Sequence, residues 1–177
     1  MEKILSLNGE WTATYQLPGQ GLVNFQGRVP GCAHTDLLRE GIIKDYFKDY
    51  QSQDCQYIEN AEFVYATTFS YEGDVEGVEL HFECLDTFCD VILNGKRIGS
   101  CDNMFLPWDF DVADILRQGE NRLEVHFFPP AEQVKDCPPR DAAFTAERIY
   151  IRRMQCTFGW DWVERFVTMG IMGDVEL

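Results

Sequence analysis

Two tryptophans flank one aspartate in the segment FGWDWVERF, residues 158–166. Indole faces pack against the C–H patches of sugar rings, while a carboxylate accepts hydrogen bonds from neighbouring sugar hydroxyls. Trp160, Asp161 and Trp162 are therefore candidate carbohydrate contacts. The same residues also fit a core strand, in which both indoles lie on one buried face and Asp161 points to solvent.

One acidic stretch matches a calcium-binding loop only in part. In DFDVADILRQGE, Asp109, Asp111 and Glu120 occupy the first, third and twelfth positions of such a loop. Ala113 cannot bind a cation at the fifth position, and Asp114 stands at the sixth, where the turn requires glycine. We therefore interpret the stretch as the capped start of a helix.

The three histidines, His34, His81 and His126, lie too far apart in the sequence to show the spacing of metal ligands. His34 belongs to an irregular segment, VPGCAHTDLL, where it is a candidate hydrogen-bonding residue of a site; a structural role is the simpler interpretation. No nucleophile elbow, phosphate-binding loop or Ser-His-Asp arrangement is evident. We expect no metal and no cofactor.

The charge of the chain narrows the classes of partner. Its 177 residues include 15 basic and 30 acidic side chains, which gives a formal net charge of −15. Because this charge repels nucleic-acid phosphates and anionic lipid head groups, neither nucleic acid nor a membrane is an expected partner. The sequence has no run of about 18 apolar residues, and its start, MEKILSLNGEW, lacks a signal-peptide pattern. These features predict a cytoplasmic protein.

Length and cysteine content are typical of one reduced domain. A chain of 177 residues can bury a hydrophobic core without the help of disulfides or metal sites, and we expect residues 1–177 to form a single domain. The seven cysteines are odd in number and include no CxxC pair, which disfavours a complete set of disulfides and a zinc ribbon. We expect reduced, mostly buried thiols.

Alternation with a period of two residues is the dominant pattern. In EFVYATTFSY, residues 62–71, the following residues share one face: Phe63, Tyr65, Thr67, Phe69 and Tyr71. NRLEVHFF repeats the pattern, and VELHFECLD and CDVILNGKRIG are further strand candidates. Asn94-Gly95 accepts the positive φ angles of a type I′ turn and predicts a hairpin. The pattern predicts an all-β sandwich with short helical insertions.

Three short segments carry helix signals. HTDLLREG offers Thr35 as an N-cap and Gly41 as a stop, which predicts about two turns. DVADILRQG offers Asp111 as a cap and Gly119 as a stop. The third candidate, DAAFTAE, follows two prolines. We expect all three helices to connect strands.

Four segments, in this order, carry a resemblance to a known family: LNGEWTATYQLPG at 7–19, VPGCAHTDLLREGIIKDYF at 29–47, FECLDTFCDVILNGKRIGSCDNMFLPWDFDV at 82–112 and YIRRMQCTFGWDW at 150–162. Over essentially its full length the chain resembles the N-terminal sugar-binding domain of β-mannosidases in glycoside hydrolase family 2. Segments similar to the first and third, residues 7–19 and 82–112, also occur in β-galactosidases and β-glucuronidases of that family. HTDLL and FGWDW point towards the mannosidase branch.

The resemblance implies a jelly-roll β-sandwich of the galactose-binding-domain type, followed in full-length relatives by immunoglobulin-like domains and a TIM barrel. The family's acid/base and nucleophile are two glutamates on barrel strands, so this chain is expected to contain no catalytic residue. The implied substrate is a terminal β-linked sugar, with a mannoside favoured. Carried over residue by residue, the resemblance assigns contact with that sugar to Trp160, Asp161 and Trp162.

One stretch departs from the family pattern. The family usually continues Trp-Asp-Trp with Gly-Pro-Arg, whereas this chain has Val163, Glu164 and Arg165. If the family's glycine takes a positive φ, Val163 would be strained there. The charge of Glu164 beside Asp161 is expected to raise the carboxyl pKa in this loop. Arg165 still matches the family, and with His34 it is a candidate supporting residue.

Other functions fit the same sequence. The chain would also suit the corresponding domain of a β-galactosidase or β-glucuronidase of the same family, which is the runner-up to the mannosidase assignment. It would also suit a stand-alone carbohydrate-binding module, because a fold does not by itself imply a function. A purely structural scaffold predicts that Trp160 is buried.

Overall fold

The computed structural model describes residues 4–177, whose regular secondary structure is mainly antiparallel strands. In chain order the strands are β1 Gly9–Gln16, β2 Val23–Val29, β3 Glu62–Tyr71, β4 Glu79–Phe82, β5 Leu85–Asp86, β6 Cys89–Leu93, β7 Lys96–Cys101, β8 Trp108–Asp111, β9 Gly119–Phe127, β10 Gly170–Ile171 and β11 Val175–Glu176. Residues 4–177 include no helix with the length and hydropathy of a transmembrane span.

The strands form one large sheet and two small ones. The large sheet has the order β2-β1-β3-β9-β6-β7, and the small sheets are β11-β4-β8 and β10-β5. Side chains of the large sheet and of the small sheets belong to one hydrophobic cluster, so the core lies between the layers. The predicted all-β sandwich with short helical insertions is confirmed.

Period-two alternation predicted the core-facing residues of the large sheet. Phe63 and Tyr65 of β3 are buried, and so are Leu123, Val125 and Phe127 of β9. In an antiparallel pair, residues directly opposite each other present their side chains to the same face, and here Phe63 lies opposite Phe127. The alternation therefore indicated both the strands and their buried side correctly.

The predicted Asn94-Gly95 hairpin joins β6 to β7. Both residues have the positive φ that a type I′ turn requires, 53° for Asn94 and 80° for Gly95. The Asn94 side chain also donates hydrogen bonds to the carbonyl of Ile115 and to Oδ1 of Asn121. The hairpin is thereby attached to the turn that precedes β9.

The helices are short: α1 spans Ala33–Arg39, α2 Gln51–Asp54 and α3 Pro130–Gln133, and the 3-10 helices span Gln56–Asn60, Glu147–Tyr150 and Gln155–Phe158. Helix α1 confirms the prediction for HTDLLREG, and Gly41 follows it with a φ of 67°. The proposed Thr35 cap is wrong. Cys32 is the N-cap residue, and the Thr35 hydroxyl donates back to its carbonyl oxygen over 2.8 Å.

Two predicted helices are absent from the residues that the structure describes. In DVADILRQG a single turn forms, closed by the hydrogen bond from Leu116 N to the Val112 carbonyl over 2.8 Å. Asp111 caps this turn through the amide of Ala113, but Gly119 then begins β9, because pairing with β3 competes with further helix. DAAFTAE is irregular, and Phe144 within it has a φ of 67°, which no right-handed helix can contain.

The seven cysteines are all free. Three of them are buried, Cys55, Cys89 and Cys101, and the other four are partly exposed. The expectation that most of the thiols are buried is therefore wrong.

The start of α1 lies against β10 in a contact too close for any side chain at Gly170. A Cβ added there would lie 2.6 Å from the Gly31 carbonyl oxygen and 2.7 Å from Cys32 Cα, both of them backbone atoms. We expect Gly170→Ala to lower the free energy of unfolding by about 1–3 kcal/mol, as overpacking does. Chemical denaturation of the chain measures this change. Gly21→Ala, with open space around its Cβ, is the matched control, and equal effects of both substitutions would contradict the prediction.

Candidate functional site

The Trp-Asp-Trp segment forms a tight, exposed turn. The amide of Trp160 donates to the carbonyl of Val163 over 2.8 Å, which leaves Asp161 and Trp162 as the two residues of the turn. Both are exposed, and Trp162 keeps 72% of its surface accessible. The alternative of a core strand with both indoles buried is wrong, because the turn lifts Asp161 and Trp162 away from the core.

Trp160 is half-buried and fixed by three neighbouring groups. The Phe144 ring lies 5.2 Å away between centroids, at 31° to the indole, and the Trp162 ring lies 5.6 Å away at 53°. The guanidinium carbon of Arg148 lies 4.3 Å from the centre of the Trp160 ring. This partial burial lies between the exposed indole of a sugar platform and the buried one expected of a scaffold.

An open cavity of about 510 Å³ lies at this turn. Its lining consists of Phe144, Thr145, Phe158, Gly159, Trp160, Asp161, Trp162, Val163, Glu164 and Arg165. This volume falls within the usual range of small-molecule sites, and the lining combines aromatic rings with a few charged groups, as in such sites. All three predicted contact residues therefore border one cavity.

The residues that depart from the family pattern fit the turn without left-handed strain. The positive φ of the loop falls on Gly159, at 98°, and Val163 has no positive φ. Glu164 accepts hydrogen bonds from the Ser52 hydroxyl and from Nε2 of Gln53, the latter over 3.0 Å. These bonds, led by that of Ser52, lower the pKa of Glu164.

Arg165 anchors the base of the turn to two other segments. Its Nη2 lies 2.8 Å from Oε1 of Glu59, and its Nη1 lies 2.8 Å from Oε1 of Glu147. The Gln56 side chain donates to the Arg165 carbonyl over 3.0 Å. Since Glu59 and Glu147 belong to separate 3-10 helices, Arg165 joins both of them to the turn.

His34 does not line the cavity. The residue, on α1, is 1% exposed, and its ring packs against the Phe166 ring, with 4.3 Å between ring centres and 46° between planes. Burial, assisted by the positive charge of Arg153, lowers the pKa of His34 to about 4. His34 is therefore neutral at pH 7 and contacts the irregular segment between the turn and β10.

A buried ion pair holds the segment that leads into the turn. Nη2 of Arg153 lies 2.9 Å from Oδ2 of Asp86, and both side chains are fully buried. Thr168 donates to the same carboxylate oxygen over 3.0 Å. The pair joins the approach to the turn to β5 in the core.

Sequence reasoning missed several residues that shape the site. Phe144 had been assigned to a helix, and Arg148 had no role in any motif, although both contact Trp160. The one signal in the sequence for a contact with Trp160 was residue type: an aromatic residue, Phe144, and a cation, Arg148, precede this tryptophan in the chain. No group of three His, Cys, Asp or Glu side chains within residues 4–177 could hold a metal ion.

The chain is similar in sequence to known β-mannosidases. The β-mannosidase of Bos taurus is 33% identical to this chain over an alignment 189 residues long. The alignment covers 98% of the chain and 21% of that protein. The probable β-mannosidase of Caenorhabditis elegans is 28% identical over 192 residues, again with 98% of the chain and 21% of the relative covered. This chain therefore spans about a fifth of the length of these relatives.

Solved structures agree with these relatives. The crystal structure of the β-D-mannosidase from Dictyoglomus thermophilum superposes with a TM-score of 0.92 at 36% identity, covering 99% of this chain and 22% of that one. An exo-chitosanase from Amycolatopsis orientalis, at a TM-score of 0.64 and 15% identity, covers 99% of this chain and 20% of its own and shows the same fold. The profile of the glycosyl hydrolase 2 galactose-binding domain-like family matches residues 11–173, so the chain belongs to that family.

Proposed function

We propose that this chain is the substrate-gripping domain of a longer β-mannosidase-like exo-glycosidase that hydrolyses terminal β-linked sugars. The observation that carries the proposal is the exposed turn of Asp161 and Trp162 at the rim of a cavity of about 510 Å³. An exposed carboxylate beside an exposed indole offers a sugar both a hydrogen-bond acceptor and an apolar face. Similarity to β-mannosidases over nearly the whole chain supports the same assignment.

Each residue of the turn has a distinct role in this proposal. The exposed face of Trp162 packs against the C–H patch of the terminal sugar. Asp161 accepts hydrogen bonds from its hydroxyls, and the half-buried Trp160 forms the wall behind them. Arg165 and His34 support this surface, the former through two ion pairs and the latter through Phe166. Such contacts position the sugar and supply binding energy that the chemical step can use.

The reacting groups lie outside this chain in our proposal. Two glutamates of a TIM barrel, in the part of the longer protein that corresponds to the remaining four-fifths of the relatives, act as acid/base and nucleophile. The barrel and immunoglobulin-like domains are the partners of this chain. Alone, the 177-residue chain is expected to hydrolyse no aryl β-mannoside.

A mannoside is the favoured substrate because the relatives named above are β-mannosidases. The alternative is another β-linked sugar, since a β-galacturonidase from Eisenbergiella tayi shares the fold at 19% identity. Initial rates of the longer gene product on aryl β-mannoside, β-galacturonide, β-galactoside and β-glucuronide distinguish these cases. Preference for any of the last three would overturn the mannoside assignment.

We expect Asp161→Ala to lower kcat/KM of the longer gene product about 10- to 150-fold, because a hydrogen bond to a charged group contributes about 1.5–3 kcal/mol. Asp161 is exposed, so the thermal midpoint is expected to stay unchanged. The matched control is Asp114→Ala, an exposed aspartate outside the cavity lining, with full activity expected. Unchanged kcat/KM in Asp161→Ala would remove Asp161 from the site.

The same substitution separates an enzyme domain from a free-standing binding module. A module would bind mannose or a manno-oligosaccharide in calorimetric titration of the 177-residue chain alone, and Asp161→Ala would weaken that binding. We expect no saturable binding at millimolar sugar, because the turn provides only one side of the pocket. Tight binding by the isolated chain would favour the module.

We also propose that residues 1–177 form one folding unit in a cytoplasmic protein. The shared core of the sheets supports the first statement, and the seven free cysteines suit a reducing compartment. One cooperative unfolding transition is expected for the chain. Two separate transitions would contradict the single folding unit. Recovery of the native protein with disulfide-bonded cysteines would contradict the cytoplasmic location.

A further inference from the structure

Arg148 is a buried cation without an anionic partner among the residues that the structure describes. It is 7% exposed, and its Nε and Nη1 atoms are buried with no hydrogen-bond partner. No carboxylate within residues 4–177 lies within ion-pair distance of it. In a chain with 30 acidic residues, this isolation is unusual.

An unpaired buried guanidinium opposes folding. Removing a charge from water is costly, and donors left without acceptors add to that cost. The other two arginines near the turn have anionic partners, since Arg153 pairs with Asp86 and Arg165 pairs with Glu59 and Glu147. Nε and Nη1 of Arg153 also lack a hydrogen-bond partner, but its charge is compensated by Asp86. Arg148 therefore contributes little to the stability of the fold through ion pairs or hydrogen bonds.

Aromatic rings supply the contacts of Arg148. Its guanidinium carbon lies 4.3 Å from the Trp160 ring centre and 5.5 Å from the Phe144 ring centre. Guanidinium groups at such distances are attracted to the negative face of an aromatic ring, and most strongly to indole. Desolvation strengthens this attraction.

Phe144 is held in an unfavourable backbone conformation at the same place. Its φ of 67° lies in the left-handed region, where a bulky residue is rare, and its side chain stays 54% exposed. Backbone strain and unpaired buried charges persist where the surrounding structure or a function requires them. Both features meet on the Trp160 ring.

We propose that Arg148 is a positioning residue of the sugar site, which holds the Trp160 indole and thereby the orientation of the Asp161-Trp162 turn. The role of Arg148 in sugar binding rests on the proposed function, whereas its effect on the orientation of the Trp160 indole does not. Arg148 acts through Trp160 and does not touch the sugar. Its presence lowers the stability of the fold while it orders the site, a compromise common at functional surfaces.

Circular dichroism of the 177-residue chain tests the proposal without any sugar. Trp160 and Trp162, with ring centres 5.6 Å apart and planes at 53°, are close enough for their transitions to couple. We expect Arg148→Met to reduce the resulting couplet by about half or more, since the indole loses its cation–π contact. Arg148→Lys, which keeps a cation, is expected to retain the couplet, and Trp162→Phe removes it and so identifies the signal.

Thermal unfolding of the same variants supplies the second readout. Arg148→Met is expected to unfold at or above the wild-type midpoint, because methionine removes an unpaired buried charge. Arg153→Met is the matched control, in which a paired buried arginine is lost and the midpoint falls. An unchanged couplet in Arg148→Met, or a midpoint below that of the wild type, would overturn the proposal.

Kinetics of the longer gene product separate this inference from the proposed function. We expect Arg148→Met to lower kcat/KM about ten-fold, with partial recovery in Arg148→Lys, because a displaced indole misorients the substrate. If the couplet changes as expected while hydrolysis of aryl β-mannoside is absent even in the wild type, the proposed function fails and the positioning of Trp160 stands. A full couplet change with unaltered kcat/KM would remove Arg148 from the catalytic cycle and overturn its role at the site.

Discussion

Replacement of Arg153 with methionine is expected to lower the free energy of unfolding by about 3–5 kcal/mol, because it leaves a buried carboxylate without its cation. Arg153 and Asp86 are fully buried, and 2.9 Å separates Nη2 from Oδ2. The hydroxyls of Thr87 and Thr168 also donate to Asp86. These neutral hydrogen bonds cannot replace the lost positive charge.

The position of the ion pair extends its effect to the site. Arg153 also lies over the Phe158 ring, with 5.5 Å between the guanidinium carbon and the ring centre, and Phe158 begins the FGWDW segment. Loss of Arg153 therefore loosens both β5 and the approach to the turn. We expect the thermal midpoint and the Trp160–Trp162 couplet to fall together in this variant.

Urea denaturation of the 177-residue chain measures the effect of Arg153→Met. The control is Arg97→Met, in which a surface ion pair with Asp90 is lost; since Arg97 is 64% exposed, a change below about 1 kcal/mol is expected. If Arg153→Met fails to fold, Arg153→Lys, which retains the charge, is expected to fold with an intermediate loss. Losses below about 1 kcal/mol in both Arg153 variants would show that the pair contributes little.

Acidification is expected to destabilise the fold through His34. The folded pKa is about 4, against an ordinary value of 6.5, so between these values the unfolded chain binds a proton that the folded chain does not. Stability is therefore full above pH 6.5 and declines as the pH falls towards 4. Because one pKa unit corresponds to about 1.4 kcal/mol, the total loss is about 3 kcal/mol.

The cause lies in the surroundings of His34. Burial disfavours the imidazolium first, and the nearby positive charge of Arg153 disfavours it further. The Nδ1 atom has no hydrogen-bond partner within residues 4–177, and the ring contacts Phe166 at 4.3 Å. Protonation would therefore place a second cation in an apolar pocket beside Arg153.

Denaturation of the wild type and of His34→Gln at a series of pH values isolates this contribution. Burial raises the pKa of Asp36 and of Asp86, so these carboxyls shift stability in the opposite direction. The difference between the two proteins cancels their effect. We expect that difference to change by about 3 kcal/mol between pH 7 and pH 4 and to stay constant between pH 7 and pH 8. A difference that does not vary with pH would mean that His34 titrates normally.

Local patterns accounted for much of the fold. The period-two runs that became β3 and β9, and the Asn94-Gly95 turn, depend on backbone preferences and burial within a few residues. The same logic failed for DVADILRQG and DAAFTAE. In the first, strand pairing at Gly119 ended the turn, and in the second the chain bends at Phe144 to reach Trp160. In both, tertiary contacts overrode weak helix signals.

The sequence by itself determined the sandwich, its family and the Trp-Asp-Trp segment, because alternation, turn chemistry and distinctive short motifs are properties of adjacent residues. Only the tertiary structure decided which groups surround that segment. It brought Phe144 and Arg148 to Trp160, and Ser52 to Glu164. It also closed the Arg153–Asp86 pair across the core. Contacts between residues so far apart depend on how the whole chain packs, and one sequence carries no local pattern for them.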